Sequence, residues 1–179
     1  MDGLQIRQLK SAFDKDAAGL DLNAMQDVHV NDVASLMKLY FRELPEPLTT
    51  FGLYESWIAC TRESGQVRAH AIFTEIATET LTNCMSLLGE SGWQTRVNSM
   101  RKCIDTLPQG NRSTLGFLVA HLCRVAKQSP VNKMTPSNLA IVFAPGLVRS
   151  QDEVAALRDF RLQCEIVEDL INNFGALFV

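Results

Sequence analysis

No stretch of this 179-residue chain is both long and apolar: the longest such run, Leu139–Ala144, has six residues, far short of the roughly 20 needed to cross a bilayer. The opening residues MDGLQIRQLKSAFDKD carry charges throughout and contain no apolar signal-like segment, so a cytoplasmic location and no direct membrane anchor are expected. Basic charge is also scarce. A net charge of −3 and a pI near 5.6 argue against nucleic-acid binding, which usually shows as a basic stripe and a high pI. The five cysteines, Cys60, Cys84, Cys103, Cys123 and Cys164, form no C-x-x-C pair, and they read as reduced thiols. His121 and Cys123 are offset by two, which on a helix points them to different faces, so no metal is expected. Phosphate-cradling G-x-x-x-x-G-K-[ST], G-x-S-x-G and H-E-x-x-H motifs are all missing. The chain is therefore expected to hold no cofactor and no hydrolytic centre of its own. Strand-like alternation and Asn-Gly hairpin signals are missing too, which leaves an all-α domain.

What is present is helical periodicity. Val33, Leu36, Met37, Tyr40, Phe41 and Leu44 recur at the spacing of one helix face and should look onto a core. Asp27 or Asn31 is positioned to cap this helix, and Pro45 and Pro47 should stop it near Glu43. Its other face aligns Asn31, Ser35, Lys38 and Arg42, placing two cations one turn apart where an anionic partner can meet them. Solvated helix cations are the bland alternative for both.

The same reading predicts a short helix over Gly3–Asp14, another within Thr49–Thr61, and one or two across Gln66–Leu88. Gly89 and Gly92 should mark a turn before a stripe of Trp93, Val97, Met100, Ile104 and Leu107, closed by Pro108 and Gly110. Asn111 is the expected N-cap of the next helix, in which Leu115, Leu118, Val119, Leu122, Val125 and Ala126 make a strong amphipathic face. Thr135 and Pro136 open a helix with Asn138 in its first turn, which Pro145 and Gly146 should end. The charged stretch Ser150 to Arg161 reads as mobile, and a last helix spans Val167–Phe178.

Two of these blocks resemble one family. LMKLYFRELPEPL, ending at Leu48, is similar to the signature helix of the Rho GTPase-activating (RhoGAP) domain, and NKMTPSNLAIVFAPGLVR, Asn132 to Arg149, resembles that family's second hallmark. The resemblance continues through LPQGNRSTLGFLVAHL and the closing helix and is weakest from Arg62 to Lys102. It implies a compact multi-helix domain built around a helix bundle, with residues 1–179 as a single domain truncated at its start. It also implies a Rho-type small GTPase in its GTP-bound form as partner, which brings GTP, Mg²⁺ and the water-positioning glutamine. Lys38 and Arg42 then correspond to the family's basic pair and Asn138 to its interface asparagine. For Asn138 the bland reading is an amide that satisfies local backbone groups. Lys133 and Arg149 flank the second block and read as surface cations. Gly3 matches the glycine that closes the family's arginine loop, so the catalytic arginine is expected just before Met1 and no catalytic residue is assigned within the chain. Arg7 falls inside a helical pattern and reads as solvated. Either the chain comes from an active GTPase activator or it is a finger-less binding and scaffold module.

Overall fold

The computed structural model describes residues 3–16, 18–21, 28–62 and 80–178, and among these no residue lies in a strand. The chain divides into two compact units, Met1–Pro45 and Glu46–Val179.

In the first unit α1 (Gly3–Lys15) packs with α2 (Val30–Glu43), and Lys10 Nζ meets Glu43 Oε2 at 2.6 Å. The start of α2 differs from the expected one. His29 is the N-cap, its N–H donating to Asp32 Oδ2 at 3.3 Å, so a carboxylate three residues into the helix reaches back to an orphan donor. Asn31 lies within that first turn, and Asp27 lies outside the described residues. The end is as the prolines dictate: Glu43 closes the helix, and Leu44 adopts φ −55°, ψ 136°, the extended geometry imposed on a residue before proline. Phe41 is the one buried member of the apolar stripe. Val33, Leu36, Met37, Tyr40 and Leu44 instead line, with Phe13 of α1, an open groove of about 520 Å³.

The second unit holds the densest core. Its helices are α3 (residues 54–62), α4 (Thr80–Thr106), α5 (Gln109–Lys127), α6 (Ser129–Asn132), α7 (Pro136–Leu147), α8 (Glu153–Arg158), α9 (Phe160–Asn172) and α10 (Phe174–Phe178). α7 packs along α9 and both contact α5. Trp57, Ile58, Met100, Ile104, Leu115, Val119, Ile166 and Leu170 are wholly buried.

Four sequence expectations are corrected in this unit. Gly89 and Gly92 make no turn, because α4 runs through both. A helical glycine costs only about 1 kcal/mol against alanine, and burial of Val97, Met100 and Ile104 on the same helix outweighs it. The N-cap of α5 is Pro108, whose carbonyl accepts from Arg112 N–H at 2.9 Å; Gly110 and Asn111 are both helical, and Asn111 Nδ2 donates to the Leu48 carbonyl at 3.1 Å. Pro145 and Gly146 lie inside α7, which continues to Leu147. Pro145 removes one N–H, yet the helix resumes with Val148 N–H donating to Ala144 O at 2.9 Å, and Thr49 Oγ1 donates to the Leu147 carbonyl at 2.7 Å. The stretch Ser150 to Arg161 is built into α8 and the start of α9 around Asp159, a carboxylate only 2% exposed. Arg158 binds both its oxygens at 2.8–3.0 Å, Arg62 binds Oδ1 at 2.9 Å, and Tyr54 OH donates to Oδ2 at 3.4 Å. Smaller differences are that the expected Thr49–Thr61 helix begins at Tyr54, and that the closing helix is split at Asn173 into α9 and α10. Gln66–Leu88 falls outside the described residues up to 79, and its remainder belongs to α4.

Candidate functional site

Lys38 and Arg42 stand on α2 four residues apart, about 6 Å along the helix axis at 1.5 Å per residue. The stripe of α2 facing the groove fixes their direction, since residues offset from the stripe must lie on the opposite side. Lys38 is partly exposed and Arg42 exposed. Arg42 also falls in the last turn, where a cation complements the partial negative charge of the helix C-terminus. The pair thus forms a local basic ridge on an otherwise acidic chain.

Asn138 belongs to the other unit and is anchored by its own surroundings. Thr135 Oγ1 accepts from the N–H of Asn138 at 3.2 Å, as expected of an N-cap, and the amide Nδ2 of Asn138 donates to the Lys133 carbonyl at 2.8 Å. Lys133 adopts φ 60°, the left-handed conformation that turns the chain from α6 into the α7 cap. Asn138 therefore satisfies a local backbone group while its side chain stays at the surface. The two roles weighed for it are compatible in one rotamer. Lys133 Nζ donates to the Pro130 carbonyl at 2.8 Å, and the Arg149 guanidinium lies 5.4 Å from the centre of the Phe51 ring, a cation–π contact. Arg7 is exposed on α1, on regular helix rather than a loop.

One feature of α7 went unread in the sequence. Ile141 is 51% exposed and Val142 40%, and with Asn138 and Pro145 they fall at i, i+3, i+4 and i+7 on one side of α7. The opposite side, Leu139, Ala140, Phe143 and Ala144, is buried. The signal was the unbroken apolar run from Leu139 to Ala144, since a helix with one buried stripe has no packing need for apolar residues on both sides. An asparagine amide beside an outward aliphatic strip is suited to contact with protein, an apolar centre with a polar edge. Among the described residues no group of three or more His, Cys, Asp or Glu side chains is placed to hold a metal. No described helix is long and apolar enough to cross a membrane.

Comparison with known proteins places these elements. A family model for the RhoGAP domain matches residues 2–152, a span that contains α2 and all of α7. This chain belongs to the RhoGAP domain family. It is 33% identical over 182 residues to Rho GTPase-activating protein 45 of Xenopus laevis, covering 97% of this chain and 15% of that protein. To N-chimaerin of Rattus norvegicus it is 34% identical over 175 residues, covering 97% of this chain and 44% of that protein. The chain thus spans less than half the length of these relatives. In fold it resembles the crystal structure of human Rho GTPase activating protein 15, with a TM-score of 0.77, 22% identity and coverage of 100% of this chain and 72% of that one. It also resembles the BH domain from GRAF, the GTPase regulator associated with focal adhesion kinase, with a TM-score of 0.70, 24% identity and coverage of 99% and 80%. The all-α RhoGAP fold expected from the two signature blocks is the one observed.

Proposed function

We propose that this RhoGAP domain docks on a Rho-type small GTPase in its GTP-bound form and promotes hydrolysis of the partner's GTP, ending its signalling state. The observation that carries this reading is the family match over residues 2–152, which includes both α2 with Lys38 and Arg42 and α7 with Asn138. Relatives named as Rho GTPase-activating proteins support it.

The chemistry would occur in the partner, which contributes GTP, Mg²⁺ and a water-positioning group. Phosphoryl transfer spreads negative charge over the transferring group, and cations held in place before reaction stabilise that charge without reorganisation. Lys38 contacts the GTPase, Arg42 braces the interface, and Asn138 with Ile141 and Val142 supplies its polar and apolar contacts. An arginine finger contributes roughly 10³–10⁵ in rate, so it dominates any single docking contact. Arg7, on helical backbone in α1, is not assigned that role. The domain works in the cytoplasm, at membranes where a lipid-anchored partner holds it.

The test pairs two measurements on a panel of Rho-type GTPases. Pull-down should retain the form loaded with a non-hydrolysable GTP analogue over the GDP form, and Lys38→Ala, Arg42→Ala and Asn138→Ala should each weaken that retention. Equal retention of both nucleotide states overturns the docking assignment. Single-turnover hydrolysis with and without the chain tests the activation step: acceleration would assign a finger to an arginine within the chain, and selective binding with no acceleration overturns activation by this chain while leaving the docking face intact.

A further inference from the structure

Two thiols far apart in sequence meet in the second unit. Cys60 on α3 and Cys103 on α4 place their sulfurs 3.9 Å apart although they lie 43 positions apart in the chain. Both side chains are buried, at 5% and 6% exposure, yet both line a surface recess of about 320 Å³ with Ser56, Ser99, Lys102 and Thr106. A small polar oxidant can enter such a recess.

We propose that Cys60 and Cys103 form a redox-responsive dithiol that hydrogen peroxide closes to a disulfide, covalently joining α3 to α4. A disulfide needs the sulfurs at about 2.05 Å, so closure asks for roughly 2 Å of approach shared between two side chains and their helices. The thiol proton of Cys60 has two acceptors in reach, the Ser56 carbonyl at 3.1 Å and the Cys103 sulfur. When that proton turns to Cys103, it stabilises a thiolate there and holds the Cys103 thiol below the ordinary range, against the opposing effect of burial. Cys123 and Cys164 lie in the opposite situation, since burial pushes both thiols up. Nucleophilic attack requires the thiolate, so Cys103 should react first.

The reaction balances in two steps. The Cys103 thiolate attacks one peroxide oxygen, the O–O bond breaks, and with one proton taken up the products are a Cys103 sulfenic acid and water. The Cys60 sulfur then attacks the Cys103 sulfur, the S–O bond breaks, and the Cys60 proton leaves with the hydroxyl as a second water. Overall two thiols lose two electrons and two protons, and the peroxide is reduced to two waters. A thiol reductant reverses the bond by exchange.

The test is a peroxide titration of the full chain, trapped with N-ethylmaleimide and digested with trypsin. Cys60 and Cys103 fall in different tryptic peptides, residues 43–62 and 103–112. The expected result is loss of two alkylatable thiols and one disulfide-linked pair of those peptides, abolished by dithiothreitol. The oxidised chain should melt several degrees higher than the reduced one, because the bond constrains the unfolded chain between α3 and α4. Cys60→Ser should halt the reaction at a dimedone-reactive Cys103. Recovery of both peptides fully alkylated, oxidation to sulfinic acid without a link, or a link to another cysteine or another chain each overturns the proposal. The wild-type peptide map decides the matter even where Cys60→Ser fails to fold.

Discussion

α2 and α7 carry the candidate contacts, and they are built in opposite ways. α2 presents charge outward on Lys38 and Arg42, while most of its apolar stripe borders an open groove and only Phe41 is buried among its hydrophobics. α7 is apolar on both sides, with Leu139, Ala140, Phe143 and Ala144 buried and Ile141 and Val142 at the surface. A helix whose stripe is incompletely covered contributes less to stability than one packed on its full length. One packed on its full length contributes much, and its outward apolar residues are then surplus to folding. Burial is thus concentrated on α7, while both helices carry candidate contacts, and mutation can separate the two properties.

The largest effect should come from truncating the two buried phenylalanines. Phe143→Ala removes a ring 5% exposed within the packed α7 and should cost about 3–5 kcal/mol. Phe41→Ala removes the same ring from α2, where the rest of the apolar stripe is only partly covered and neighbours can relax, and should cost about 2 kcal/mol. Denaturant unfolding of both variants measures the gap. Equal losses would mean that α2 is as firmly packed as α7.

Binding should reverse that ranking. Lys38→Glu with Arg42→Glu replaces two outward cations by anions and should weaken capture of a GTP-analogue-loaded Rho-type GTPase by at least tenfold, about 1.4 kcal/mol or more. Ile141→Ser should weaken it less, by about 1 kcal/mol, since it removes half-exposed aliphatic area. Ile141→Ser should leave stability within about 0.5 kcal/mol, whereas the charge reversal, which puts an anion in the last turn of α2, should cost about 0.3–1 kcal/mol through the helix dipole. Titration calorimetry beside thermal melting checks the pair; unchanged affinity with a lowered midpoint would make these residues structural.

The legibility of the two helices follows the same divide. The stripe and stop of α2 were readable because both are local: a 3.6-residue period and two prolines act within a few residues. For α7 the N-cap was readable for the same reason, but its passage through Pro145 was not. That depends on Thr49, 98 residues away, donating to the Leu147 carbonyl. Glycine, proline and charge were overweighted wherever a distant partner compensates. The burial of Asp159 is the plainest case, since Arg62 and Tyr54, 97 and 105 residues distant, help make its charge tolerable. The candidate residues Lys38, Arg42 and Asn138 could be named from their motif context, whereas Ile141 and Val142 passed as core within an apolar run.

Acid should expose this network in the unit that holds α7. Hydrogen bonds from Arg158, then Arg62, hold the Asp159 carboxyl below the ordinary value of 3.8 despite its burial. A carboxyl lowered on folding stabilises the fold above its unfolded pKa, and the contribution disappears as pH falls through the folded value. The melting midpoint should therefore drop below about pH 4. Asp159→Asn should lower the midpoint at neutral pH and flatten the decline in acid. A decline of unchanged steepness in that variant would assign it to other carboxylates.

The smallest effect separates the helices at their caps. Thr135 caps α7 through its own hydroxyl, while α2 is closed by Asp32 reaching back to the N–H of His29. Thr135→Ala and Asp32→Ala should each cost about 1 kcal/mol, so stability alone does not distinguish them. Their positions do. The Thr135 hydroxyl accepts from the N–H of Asn138 itself, so its loss loosens the turn that orients the candidate interface amide. Asp32 lies at the far end of α2 from Arg42, ten residues away and about 15 Å along the axis, beyond the reach of a frayed first turn. Thr135→Ala should therefore lower GTPase affinity about twofold to fivefold, roughly 0.4–1 kcal/mol, while Asp32→Ala leaves it unchanged. Asn138→Ala combined with Thr135→Ala should lower affinity no further than Asn138→Ala alone, because the cap acts through that amide. Fully additive losses would show that Thr135 contributes to binding independently of Asn138.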